Sequence, residues 1–235
     1  MGTLVGYELE DSVATIAMDD GKVNVLSLEM LTQVDAALDR AASDGAIVVL
    51  TGRDGVFSAG FDLATLRAGG PEAVDMLRAG FELAARLLSF PTPVVVACSG
   101  HAVAMGAFTV LSGDYRVGAL GPYRITANEV AIGMTLPRSA IEICRQRLAP
   151  AHFHRATVLA EVYAPDDAVA AGFLDRVVPP AEVADTARAV AAQLAELDLD
   201  AHAATKLRVR EHTLAVLRDS IEAEDAAMRA VATGA

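Results

Sequence analysis

Two stretches of this chain, Ala46-Ile47-Val48-Val49-Leu50-Thr51 and Val94-Val95-Val96-Ala97-Cys98, are apolar at nearly every position and rich in β-branched residues. A strand with one wet face alternates apolar and polar residues, whereas a run without alternation suits a strand covered on both faces. Each run delivers the chain into a glycine, Gly52 or Gly100, and a helical pattern follows. Strand, loop and helix, repeated once and followed by a mostly helical remainder, predict an α/β core with a helical appendage. No fixed-period repeat or low-complexity linker divides the chain.

The flanking segments fit that plan. Val5, Tyr7, Val13, Ile16 and Met18, broken by Glu10-Asp11, predict a hairpin. Ser27 is an N-cap for a helix to about Ala42, with Leu31, Val34, Leu38 and Ala41 on one face. Gly52 to Leu66 is a glycine-punctuated loop, and an amphipathic helix is predicted over 71–88. Residues 101–113 are almost free of charge and end at Asp114; a short strand is predicted at Tyr115-Arg116-Val117. Helices are expected at about 139–148, 150–160, 166–171 and 180–196, with one final helical stretch from about 201 to 231.

Composition narrows the classes of function. At 53% hydrophobic, the 235 residues can bury enough surface to offset their ordering entropy, so the chain is not disordered. Acidic residues outnumber basic ones 31 to 19, a net charge of −12. Such a surface repels nucleic-acid phosphates and anionic lipid, so neither nucleic acid nor membrane is expected as a partner. Cys98 and Cys144 lie far apart without metal spacing, as buried thiols of a reducing compartment would. The start, MGTLVGYELEDS, lacks the basic and apolar regions of a signal peptide, and a cytoplasmic location is expected.

Generic catalytic motifs are missing. Gly52, Gly55 and Gly60 do not have dinucleotide-binding spacing, and no GxxxxGK[ST], HExxH or GxSxG occurs. His101, His152, His154, His202 and His212 form no ligand cluster, so no metal is expected. Two segments stand out instead: Val56 to Leu63 and Gly100 to Phe108, each just after an apolar strand. Small residues where a strand gives way to a helix can aim backbone N–H groups into one crevice, and two converging on one oxygen form an oxyanion hole. Small residues at such turns also serve close packing alone.

Phe57-Ser58-Ala59-Gly60-Phe61-Asp62-Leu63 resembles the first oxyanion loop of the crotonase (enoyl-CoA hydratase/isomerase) superfamily. Gly100 to Phe108, with Asp114 beyond, resembles its second. Asn24-Val25-Leu26 is similar to the family's Asn-Ala-Leu, and Asn128-Glu129-Val130-Ala131-Ile132-Gly133 to its Pro-Glu-x-x-x-Gly. Ala170 to Val178 is similar to its Ala-x-x-Gly-Leu-Val-Asp-x-Val-Val. The resemblance spans nearly the whole chain. It implies a spiral of ββα units over 1–180 and a C-terminal helical region over 181–235 that drives homotrimer or hexamer formation. It implies an acyl-CoA thioester substrate of fatty acid metabolism and no cofactor beyond the coenzyme A of that substrate. The thioester oxygen would accept from the amides of Phe61 and of Met105, or Gly106 if the register shifts by one. Ala59, Gly60, Asp62, Leu63, Asn24 and His101 would surround the ligand, and Lys22 and Lys206 would meet the coenzyme A phosphates.

Family members that hydrate enoyl-CoA carry two glutamates, and here the corresponding positions are Phe108 and Glu129. Hydration needs one group to activate water and another to protonate carbon, whereas moving a double bond needs a single carboxylate. Phe108 should also make the surroundings of Glu129 apolar and raise its pKa. The expected activity is therefore double-bond isomerisation with Glu129 as acid and base. The alternatives are a non-catalytic acyl-CoA-binding protein, thioester hydrolysis or decarboxylation. Where the family has Pro-Gly-x-Gly-Gly, this chain has Leu136-Pro137-Arg138-Ser139-Ala140, which would reshape the acyl pocket.

Overall fold

A computed structural model describes residues 2–233, with side chains through Ala230. The N-terminal hairpin pairs β1 (Val5–Glu10) with β2 (Val13–Met18), Val5 opposite Met18. Its turn residues, Asp11 and Ser12, both take positive φ (45° and 65°), which matches the twist of paired strands. β3 (Val25–Leu26) leads into α1 (Leu28–Ser43), where the Ser27 hydroxyl accepts from the Met30 amide at 3.2 Å. Then come β4 (Ile47–Thr51), β5 (Gly55–Ser58), β6 (Gly60–Phe61), α2 (Leu63–Ala68) and α3 (Gly70–Ser89). The second pass has β7 (Val94–Cys98), β8 (Gly100–Val103), α4 (Met105–Leu111), β9 (Tyr115–Ala119) and β10 (Ile125–Thr126). The remainder comprises α5 (Arg138–Arg145), α6 (Pro150–Thr157), α7 (Pro165–Ala171), β11 (Arg176–Val178), α8 (Val183–Leu194), α9 (Leu199–Val209) and α10 (Glu211–Thr233).

The main sheet has the order β1-β2-β4-β7-β9-β11 and is parallel except at the β1 edge. Its central strands explain the two apolar runs. Val48, Leu50, Val94 and Val96 face a core with Leu31, Val34 and Leu38 of α1 and Leu83 and Leu87 of α3. The intervening Ile47, Val49, Val95 and Ala97 face Val183, Ala187 and Ala191 of α8. With both faces covered, apolar residues fill these strands up to Thr51, whose hydroxyl donates to the Ala97 carbonyl (3.1 Å).

A second layer, which positions the site, consists of a three-stranded sheet β10-β8-β5 and the β3-β6 pair. The sequence suggested a glycine-punctuated loop at 52–66 and an almost uncharged stretch at 101–113. Strands of two to four residues carrying Gly, Ser and His have too few alternations to register as a period. The final helical stretch is two helices. They break at Arg210, whose guanidinium donates to the Leu88 carbonyl (2.9 Å) and pairs with Asp114 (2.9 Å). Among the described residues, no helix is long and apolar enough to cross a membrane. Cys98 and Cys144 are buried free thiols, both pushed to high pKa by burial.

Candidate active site

The two segments singled out in the sequence meet backbone to backbone. The first loop leaves β5 at Ser58, whose hydroxyl donates to the Asn24 carbonyl (2.7 Å) and accepts from the Gly60 amide (3.0 Å). Asn24 sits at φ 51° and is fully buried; its side-chain amide donates to the carbonyls of Met18 (2.9 Å) and Phe57 (3.2 Å). Asp62 caps α2, accepting from the Ala64 amide (2.9 Å) and the Thr65 hydroxyl (3.0 Å). The second loop leaves β8 through Ala104, strained at φ 52° and ψ −123°, and enters α4 at Met105 with no side-chain cap.

Two glycines allow the contact. A Cβ on Gly60, at φ 88°, would lie 2.8 Å from the Val103 carbonyl oxygen and 3.3 Å from the Met105 nitrogen. One on Gly106 would lie 2.5 Å from the Ser58 carbonyl oxygen. A third close approach lies behind them, where a Cβ on Gly80 of α3 would come within 2.4 Å of the Phe61 ring. That ring also packs edge-on against Phe81 at 6.0 Å.

Beside the two loops lies a cavity of about 90 Å³. Ala59, Phe61, Val103, Ala104 and Phe108 form one side, and Leu63, Leu66, Leu77 and Phe81 come from α2 and α3. Ile132, Met134 and Pro137 close it, and among the described residues only Asn128 and Glu129 bring polar side chains. Glu129 is 7% exposed and stands just before a single 3₁₀ turn, Val130–Ile132. Its carbonyl accepts from Ile132 (3.1 Å) and Met134 (2.9 Å), which folds the chain back over the cavity. One carboxylate oxygen of Glu129 is buried without a partner, and burial pushes the group up to about 7. Burial favours the neutral acid and outweighs the hydrogen bond from the residue's own backbone amide, which favours the charged form. The Asn128 carbonyl oxygen is likewise buried and unpaired.

Of the residues named from sequence, Ala59, Phe61, Leu63, Phe108 and Glu129 line this cavity, and Gly60, Met105 and Gly106 form the loop contact behind it. Five others do not line it. Asn24 is buried beneath the first loop, with its side chain committed to fastening that loop. Asp62 is occupied as a helix cap. His101 accepts from the Arg124 amide (3.0 Å) and packs edge-on against Tyr123, so it supports its own strand. Lys206 is 7% exposed and pairs with Asp114 at 2.6 Å, while the same carboxylate accepts from the Val94 amide (2.7 Å). Burial pushes Lys206 down to about 8 against the pull of Asp114. This lysine pins α9 to the start of β7, and Lys206→Ala should destabilise the protein by about 3 kcal/mol. A fall in melting temperature with an unchanged KM for a short enoyl-CoA would confirm that role; the reverse would return Lys206 to the site. Lys22 is exposed next to the first turn.

Sequence reasoning missed Asn128 as a wall residue, although it stands beside Glu129, and it missed Gly80. Leu77 and Phe81, spaced i and i+4 on the apolar face of α3, did carry a signal.

The family model for enoyl-CoA hydratase/isomerase matches residues 8–233. Human mitochondrial enoyl-CoA delta isomerase 1 is 31% identical over 215 residues, covering 89% of this chain and 71% of that protein. A probable enoyl-CoA hydratase of Rhodobacter capsulatus is 29% identical, covering 86% and 79%. The apo structure of a Mycobacterium tuberculosis enoyl-CoA isomerase superposes with a TM-score of 0.93 at 49% identity, covering 97% of this chain and 99% of that one. With the fold, the loop pair and a match over nearly its full length in agreement, this chain belongs to the enoyl-CoA hydratase/isomerase family.

Proposed function

We propose that the protein is a Δ3,Δ2-enoyl-CoA isomerase in which Glu129 is the single acid and base. The observation that carries the reading is a buried carboxylate with one oxygen unpartnered, in a cavity whose other polar side chain is Asn128, with Phe108 where a second glutamate would stand. The Glu129 carboxylate takes a proton from C2 of the 3-enoyl thioester, and the electron pair moves onto the thioester oxygen. The same group returns the proton to C4, so the C3–C4 double bond is lost and the C2–C3 double bond forms. Nothing is oxidised and no water is consumed.

The amides of Phe61 and Met105 are the proposed donors to the oxygen that gains charge, and each such donor is worth about 3–4 kcal/mol of barrier. Hydration would need a further acid or base, which phenylalanine cannot supply. Lys22 is the proposed contact for the coenzyme A phosphates, and the C-terminal helices are proposed to form a homotrimer or hexamer.

Purified protein incubated with 3-hexenoyl-CoA should yield the conjugated 2-isomer at unchanged mass. A mass gain of one water, released coenzyme A or lost carbon dioxide would identify a different reaction, and tight binding without turnover an idle pocket. The pH dependence follows from burial. Glu129 must be ionised to accept a proton, so kcat/KM should fall as pH drops through about 7. A profile flat down to the ordinary carboxylate range would contradict this assignment.

A further inference from the structure

Two unpaired acceptors of the cavity belong to neighbouring residues. The carboxamide oxygen of Asn128 and the Oε2 atom of Glu129 are both buried without a partner, and every other lining side chain among the described residues is apolar. A buried acceptor without a donor is costly, and native proteins leave few of them. Here two share a cavity of about 90 Å³, at the start of the turn that the Glu129 carbonyl ties down through the Ile132 and Met134 amides. While Glu129 is ionised these two oxygens cannot satisfy each other, because neither carries a proton. The relation changes when Glu129 takes one. The neutral acid is a donor, and Asn128 is the acceptor beside it. Within the cavity the substrate offers no rival, since an unbranched enoyl chain and its thioester group carry neither N–H nor O–H.

We infer that Asn128 is a positioning residue for the isomerisation, its carboxamide oxygen accepting the O–H of Glu129 while that group carries the proton from C2 to C4. The inference rests on the isomerase reading and adds a residue to it. When the C2 proton reaches Glu129, the electron pair lies on the thioester oxygen and the carboxyl group is neutral. The hydrogen bond then fixes the rotation of that carboxyl group, and it breaks as the same proton passes to C4. Nothing is oxidised, and a carboxamide has no readily exchanged acidic proton with which to divert the transfer. Cys144 of α5 is the one other titratable group that feels the Glu129 charge, and burial pushes its thiol up, so it stays neutral throughout.

Asn128→Leu is close in shape and removes the oxygen. It should lower kcat for 3-hexenoyl-CoA by about tenfold, the worth of one hydrogen bond, with KM unchanged. The infrared C=O stretch of the neutral Glu129 carboxyl, recorded at about pH 5 and isolated by subtracting a Glu129→Gln spectrum in each background, should move to higher wavenumber as its O–H loses the acceptor. A side chain that merely packs would leave that band in place, and an unmoved band overturns the inference. A raised KM with kcat intact also overturns it, by giving the oxygen to an amide of coenzyme A. Asn128→Asp, nearly identical in shape, covers the case in which the leucine variant does not fold. A second carboxylate beside Glu129 should move the acid limb of kcat/KM up by about one pH unit or more, and an unmoved limb would place the two side chains too far apart to bond. If no enoyl-CoA is turned over, the isomerase reading fails, and the infrared band by itself decides the hydrogen bond.

Discussion

Glu129→Gln should lower kcat/KM for isomerisation by about 10²–10⁴-fold, the range for a general acid–base group, while making the protein more stable at alkaline pH. Both effects have one cause. The carboxyl group is buried with one oxygen unpartnered, and burial pushes its pKa up to about 7 against 4.5 for the free side chain. A raised pKa means that the folded state holds the proton more tightly than the unfolded chain. Below about 4 both states are protonated and the burial carries no charge penalty. As pH rises through 7 the folded protein must ionise a desolvated group, and the relative stability is lost, by about 3 kcal/mol at the limit.

Glutamine is neutral throughout, so the variant should gain roughly 2–3 kcal/mol over the parent near pH 8 and nothing near pH 4. Denaturant unfolding at the two pH values, alongside the isomerase assay, measures both. Retained activity would remove Glu129 as the proton carrier. A pH-independent stability difference would show that its carboxyl group is solvated or paired.

Gly60→Ala should be the most damaging single methyl in the first loop. Its φ of 88° is unfavourable for alanine by about 1–2 kcal/mol, and its Cβ would lie 2.8 Å from the Val103 carbonyl oxygen. The two loops must then move apart, and with them the Phe61 and Met105 amides. The expected result is a loss of about 10²–10³-fold in kcat, comparable to losing an oxyanion donor, with a stability loss of about 2 kcal/mol. Gly45→Ala is the control. It has a similar φ of 63°, but its Cβ would meet nothing within 4 Å, so it should cost stability without touching kcat. Equal kcat losses in both variants would mean that backbone strain, and not loop contact, is responsible.

The physics of these sites divides what could be read from residues alone. The strands at 47–51 and 94–98 were legible because burial on both faces leaves an uninterrupted apolar run. The Ser27 cap and the α3 periodicity were legible for similarly local reasons. Glu129 and Phe108 could be named because the motif order places them, and both line the cavity. The pairing of Lys206 was not legible, because a lysine needing a phosphate and a lysine needing Asp114 have the same local sequence, and Asp114 is 92 residues away. The packing of Asn24 and His101 was hidden similarly: a polar residue near a ligand loop and one that supports the backbone beneath it differ only in which way they face.

The sequence by itself determined the α/β layering, the two glycine-bearing loops and the single carboxylate, since each depends on local pattern or chain order. Only the tertiary structure decided that Gly60 and Gly106 bring those loops into backbone contact and that Asp114 claims Lys206. Those outcomes depend on distances between segments far apart in the chain, fixed when the α3 and α10 helices and the second layer of short strands pack together.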